Sequence, residues 1–166
     1  MKTGLKTIVF FVALAVVAVG CGCISGCNRL PTRDQFVDFH LKAGDIGVGA
    51  LSVEPKVTSF LSALGRDPSS ATSSDFQDRL RTLRDECDAL RKRAEDLEPP
   101  PGCQTLKALT VAEATDQCKA VDSLMSYTGH LEGDSLNQVV DDEKLVLKDG
   151  EAFQAEYWRL DRLISG

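Results

Sequence analysis

Apolar residues recur through residues 32–166 at alternating steps of three and four, the spacing that lays one stripe along a helix. The rhythm is cleanest at Phe76, Leu80, Leu83, Cys87, Leu90, Ala94 and Leu97, where Ser74 and Gln77 are spaced as a capping box. Pro99, Pro100, Pro101 and Gly102 then stop that helix and force a turn. An earlier stripe runs through Phe36, Phe39, Ala43, Ile46, Ala50, Val53, Val57, Phe60 and Leu64, with Thr32 and Gln35 as its capping box. Gly44, Gly47 and Gly49 each cost a helix up to about 1 kcal/mol relative to alanine. Pro55 removes a backbone donor, so this first helix is expected to kink or break within 44–55.

Residues 65–73, rich in Ser and poor in apolar side chains, read as a loop. A third segment over 103–131 carries Val111, Ala114, Cys118, Val121, Leu124 or Met125, Thr128 and Leu131, and Gly133-Asp134 is expected to end it. The fourth carries Leu136, Val139, Val146, Phe153, Tyr157, Leu160 and Ile164, with Ser135 and Gln138 as a third capping box and Gly150 as its weak point. No strand-type alternation and no fixed-period repeat interrupts the pattern. Four amphipathic segments with short connections predict an all-α domain, an up-down-up-down four-helix bundle.

Ahead of residue 32 the pattern changes. Lys2 and Lys6 precede an uncharged apolar run over 8–19, the layout of a secretory signal and too short for a comfortable membrane span. The run leads into Ile24-Ser25-Gly26-Cys27, which resembles the lipobox of bacterial lipoproteins: an aliphatic residue, a small one, Gly or Ala, then Cys. The resemblance covers about the first 27 residues. It implies diacylglycerol on the Cys27 thiol, cleavage just before it, and Cys27 as the acylated first residue. Val19-Gly20-Cys21 competes, with Ala18 where an aliphatic residue is expected. The expected organisation is a signal peptide over 1–26, a lipidated tether over 27–31 and a helical domain over 32–166. Several acyl chains, at about 0.8 kcal/mol per buried methylene, hold a protein to a bilayer where one chain would not. Asn28, by the same resemblance, permits passage to an outer membrane.

Charge narrows the partners. Residues 27–166 hold all 25 acidic residues and, without Lys2 and Lys6, 17 of the 19 basic ones, so the formal charge is 17 − 25 = −8. Such a surface repels nucleic-acid backbones and anionic headgroups alike, so no nucleic-acid partner is expected.

Three cysteines fall within the helical segments. Cys103 and Cys118 lie about 22 Å apart along one helix and cannot bond to each other. Reversal near Pro100 sets Glu113 level with Cys87, leaving Cys118 about 7 Å and Cys103 about 15 Å off along the axis. Cys87 and Cys118 are therefore the candidate disulfide, with two unbonded core thiols as the alternative. Cys103 is spare, with Lys107 as the only nearby cation to lower its pKa.

Metal and haem patterns are missing: there is no Cys-x-x-Cys-His and no Glu-x-x-His, and His40 and His130 fall at opposite ends of the bundle as single surface residues. No metal ligands and no cofactor are expected. Asp141-Asp142-Glu143 reads as a solvated acidic first turn. Arg81 with Asp85, Arg84 with Asp88, Asp88 with Lys92, and Arg91 with Glu95 suit an exposed helix face. Tyr157 takes the stripe position, which leaves Trp158 partly exposed as a candidate partner contact. With no catalytic grouping in view, the expected function is non-enzymatic: a lipid-anchored envelope protein, on the extracytoplasmic side of a membrane, whose bundle binds another envelope component or acts as a spacer. A small-molecule or metal carrier with an inter-helix cavity and a thiol-active redox protein are the alternatives.

Overall fold

The computed structural model describes residues 30–130 and 133–166. The signal peptide, both candidate lipidation cysteines, Cys21 and Cys27, most of the tether, and Leu131 lie outside the described residues. The described residues are all-helical. The order is α1 (Arg33–Leu51), α2 (Glu54–Arg66), a 3-10 turn over Pro68–Thr72, α3 (Ser74–Glu95), α4 (Gln104–His130) and α5 (Gly133–Ser165). Because α1 and α2 form one bent helix, four helical arms result.

The bend sits at the proline end of the expected interval. All three glycines are helical, and α1 continues to Leu51. Pro55 has no N–H for the Leu51 carbonyl, so the ladder breaks. Ser52 closes α1 by donating from N and Oγ to the Gly49 carbonyl (3.1 and 2.6 Å), and Pro55 falls in the first turn of α2. At the start of α1, Thr32 Oγ1 accepts from the Gln35 amide (3.2 Å) while the Thr32 amide donates to Gln35 Oε1 (3.0 Å), the expected reciprocal cap.

The other two caps differ from expectation. Ser73, not Ser74, caps α3 by accepting from the Phe76 amide, which places Gln77 one position too late to reach back; its side chain donates to the Ala71 carbonyl instead. In the fourth arm α5 begins at Gly133, so Ser135 is already helical, Gly133-Asp134 belongs to α5, and Gln138 donates forward to Asp142 (2.8 Å). Much of the expected 65–73 loop is helical too: Arg66 ends α2, and the 3-10 turn buries Ala71.

Contacts between arms run in opposite numbering order. Between α3 and α4, Glu95 meets Lys107 and Arg84 meets Asp122. Between α4 and α5, Gln117 meets Glu143 and Ser123 meets Asp142. Asp45 meets Arg93 and Lys56 meets Glu86 between the first arm and α3. Arg33 donates to Ser165 (2.8 Å) between α1 and α5.

Burial separates into two apolar clusters. One gathers Val53, Val57, Phe60, Phe76, Leu80, Leu83, Cys87, Cys118, Val121, Leu124 and Val139 around α2, α3 and the second half of α4. The other gathers Phe36, Phe39, Ala43, Ile46, Leu97, Cys103, Leu106, Ala114 and Leu160 at the opposite end. Helix α4 packs against every other arm, so it is buried well beyond its one stripe: Thr110, Glu113, Asp116 and Gln117 are buried as well, at the level where the clusters meet.

Candidate functional site

The rings of Phe36 and Tyr157 stack at 5.4 Å between centroids, and His40 lies on Tyr157 at 4.0 Å, so aromatic side chains join α1 to α5 near the Arg33 end. Beyond His40 the two helices part. Gly44 and Gly47 on α1 and Gly150 on α5 have no side chains to fill the gap, and a cleft of about 360 Å³ opens between them. Val48, Leu51, Val146 and Leu147 supply apolar wall, and Phe153 lies at the aromatic end. Its floor comes from α4, in the carboxyl of Glu113.

Glu113 is 5% exposed. Among the described residues it has neither a hydrogen-bond donor nor an ion-pair partner. Burial, and then the nearby Asp149 carboxylate, push its pKa up. Asp149 is raised in turn by burial and by Asp116, and Glu143 is raised by burial against the opposing hydrogen bond from Gln117. His40 carries a buried Nδ1 without a partner, and burial lowers its pKa despite Asp161. It is a half-buried stacking residue rather than the expected surface histidine. The cleft thus offers a hydrogen-bond acceptor at the base of apolar walls, an arrangement typical of small-molecule sites.

These residues escaped sequence reasoning because Glu113 stands off the α4 stripe and the glycines looked only like helix weaknesses. A usable signal was present: Gly44, Gly47 and the later Gly150 were among the helix-disfavouring residues of the first and last arms. Asp142 is a similar case. It is buried, accepting from Ser123 (2.7 Å) and Gln138, while Glu143 is half-buried, so the solvated acidic turn is corrected. Three extra residues of helix from Gly133 put these acids in a later turn, and Asp142 shares the buried face of Val139 and Val146. Only Asp141 is exposed, paired with Lys144.

Cys87 and Cys118 are brought together. Their thiols are unbonded within one buried cluster, and the neighbouring Cys118 thiol, followed by burial, pushes Cys87 up. The contacts of Arg84 with Asp122 and Lys107 with Glu95 make Cys118, not Glu113, level with Cys87, because residues 97–102 cross between helices without helical rise. Gly102, at φ 86°, makes that turn in a conformation alanine would resist. Cys103 is fully buried in the other cluster and raised by burial and Glu156, while Lys107 is turned to the Glu95 carbonyl. A reactive thiolate needs the opposite environment.

On α3, Arg84 pairs with Asp88 (2.6 Å) and Arg91 reaches Glu95 (3.9 Å) as spaced. Arg81 takes Asp78 instead of Asp85, and Asp88 takes Arg91 instead of Lys92, since three-residue neighbours are equally close on a helix. Trp158 is 57% exposed and edge-on to Tyr157. The backbone of His130 ends α4, far from His40.

Among the described residues no group of three or more His, Cys, Asp or Glu is placed to hold a metal ion, and no helix is long and apolar enough to cross a membrane. No protein-family model, curated protein or solved structure matches the chain.

Proposed function

We propose that this chain is a lipid-anchored bacterial envelope protein, non-enzymatic, whose helical domain is a binding module held at the extracytoplasmic face of a membrane. The observation that carries the anchor is Ile24-Ser25-Gly26-Cys27 standing directly after a basic and then apolar leader. Its test is metabolic labelling with an alkyne fatty acid in a bacterial host. Label is expected on the wild-type chain and on Cys21→Ser, and lost from Cys27→Ser; an unlabelled wild-type chain would remove the anchor from the account.

The domain is, in this reading, an up-down-up-down four-helix bundle, supported by the reversed pairs between each arm and its neighbour. Trp158, exposed on α5, is a candidate contact for an envelope partner. The second reading, a small-molecule carrier, is favoured by one feature, the partnerless Glu113 at the base of the α1–α5 cleft.

A further inference from the structure

Glycines in helices usually have a packing reason, and Gly49 has one: a Cβ there would meet Leu90 Cδ2 at 2.5 Å. The glycines of the cleft have none. A Cβ at Gly44 would meet nothing within 4 Å, and none of the three has the positive φ that demands glycine. At Gly47 and Gly150 a Cβ would sit 3.5 and 3.7 Å from the Glu113 carboxylate, in ordinary contact. Alanine would therefore fit all three positions and favour the helix more. At Gly47 and Gly150 what it would remove is open space above Glu113. Two helix-weakening residues on two different helices, Gly47 and Gly150, thus converge on keeping one buried carboxyl reachable.

That carboxyl has acceptors and no donor; Asp149 is its charged neighbour and Glu151 lines the same cleft, while Lys119 is engaged by Asp116. Apolar walls and a single carboxylate do not make a metal site, which needs several converging oxygen or nitrogen ligands. They suit a charge carried on a hydrocarbon body. We propose that the α1–α5 cleft binds a small organic cation, a primary ammonium on a compact apolar group, with Glu113 as its counter-ion. The ammonium donates to Glu113, and the apolar body lies between Val48 and Leu147 with its far end toward Phe153. A site volume of about 360 Å³ matches a free amine of modest size. The proposal rests on the domain being a binding module and is independent of the lipid anchor.

The test is titration of the full-length protein, followed through glycine amide resonances by NMR, with phenethylammonium, 2-phenylethanol and phenylacetate as probes that share one apolar body. Saturable shifts of the Gly44, Gly47 and Gly150 amides are expected with the ammonium. The alcohol is expected to bind at least tenfold more weakly and the carboxylate not at all. Glu113→Gln should weaken the ammonium at least tenfold. Gly47→Ala with Gly150→Ala should abolish its binding while the melting temperature holds or rises, which separates a blocked site from a misfolded one. Equal binding of ammonium and alcohol overturns the cation while leaving a binding module. Unchanged amides with every probe, or a double alanine variant that binds like wild type, overturn the site itself.

Discussion

Glu113 is a buried carboxyl with no partner among the described residues, at the base of an open cleft. The folded state raises the proton affinity of Glu113, Asp149 and Glu143 by burial, so it holds those protons more tightly than the unfolded chain. Their contribution to stability is complete below the unfolded-state range of carboxylates and is lost as pH rises through the raised folded-state range. Melting followed by circular dichroism is expected to show a midpoint that falls from weakly acidic toward neutral pH. Glu113→Gln removes part of that dependence and raises the neutral-pH midpoint by roughly 2–4 °C, the equivalent of about 1 kcal/mol in a chain of this size. A steeper pH dependence in the variant would contradict this account. At the same scale, Thr32→Ala deletes the Oγ1 half of the reciprocal cap of α1 and should cost about 1 kcal/mol in denaturant unfolding.

At the scale of helices, α1 provides an internal comparison. Gly44→Ala adds helix propensity into open space and is expected to stabilise by up to about 1 kcal/mol. Gly49→Ala must displace Leu90 and should fall below Gly44→Ala by at least about 0.5 kcal/mol. Cys87 and Cys118 make a second comparison, since the export proposed above would expose the domain to oxidants. Joining the sulfurs passes two electrons and two protons to an incoming disulfide, which leaves as two thiols. Non-reducing peptide mapping of exported protein is expected to return the pair linked and Cys103 alkylated; three alkylated cysteines would show the core dithiol instead.

The helices themselves were legible. Phe76, Leu80, Leu83, Cys87 and Ala94, spaced for one face, are all buried on α3, and Thr32 with Gln35 caps α1 as spacing implies. Ends were less so, because Ser73 and Ser74 carry the same hydroxyl and only backbone geometry selects between them. The cleft was legible only through its glycines, and its carboxyl not at all. Periodicity locates faces turned toward a core, whereas Glu113 is buried because the three other arms surround α4, a relation among segments that no single stripe encodes.

Across the whole molecule, two apolar clusters meet at a polar level on α4 instead of forming one continuous oily interior. Leu80, fully buried in the first cluster, is expected to cost about 2–5 kcal/mol when replaced by alanine, measured by denaturant unfolding. Further, Arg33 and Ser165 touch, so both ends of the helical domain emerge on one side, beside the turn that holds Pro100 and Leu97. Cys27 precedes Arg33 by only six residues, a reach of at most about 20 Å. With Cys27 seated in a bilayer, that side becomes the foot of the molecule, and a reporter appended after Gly166 would be pressed against the headgroups. A label placed in the Pro68–Thr72 turn would ride at the crown, free for antibodies and proteases to reach.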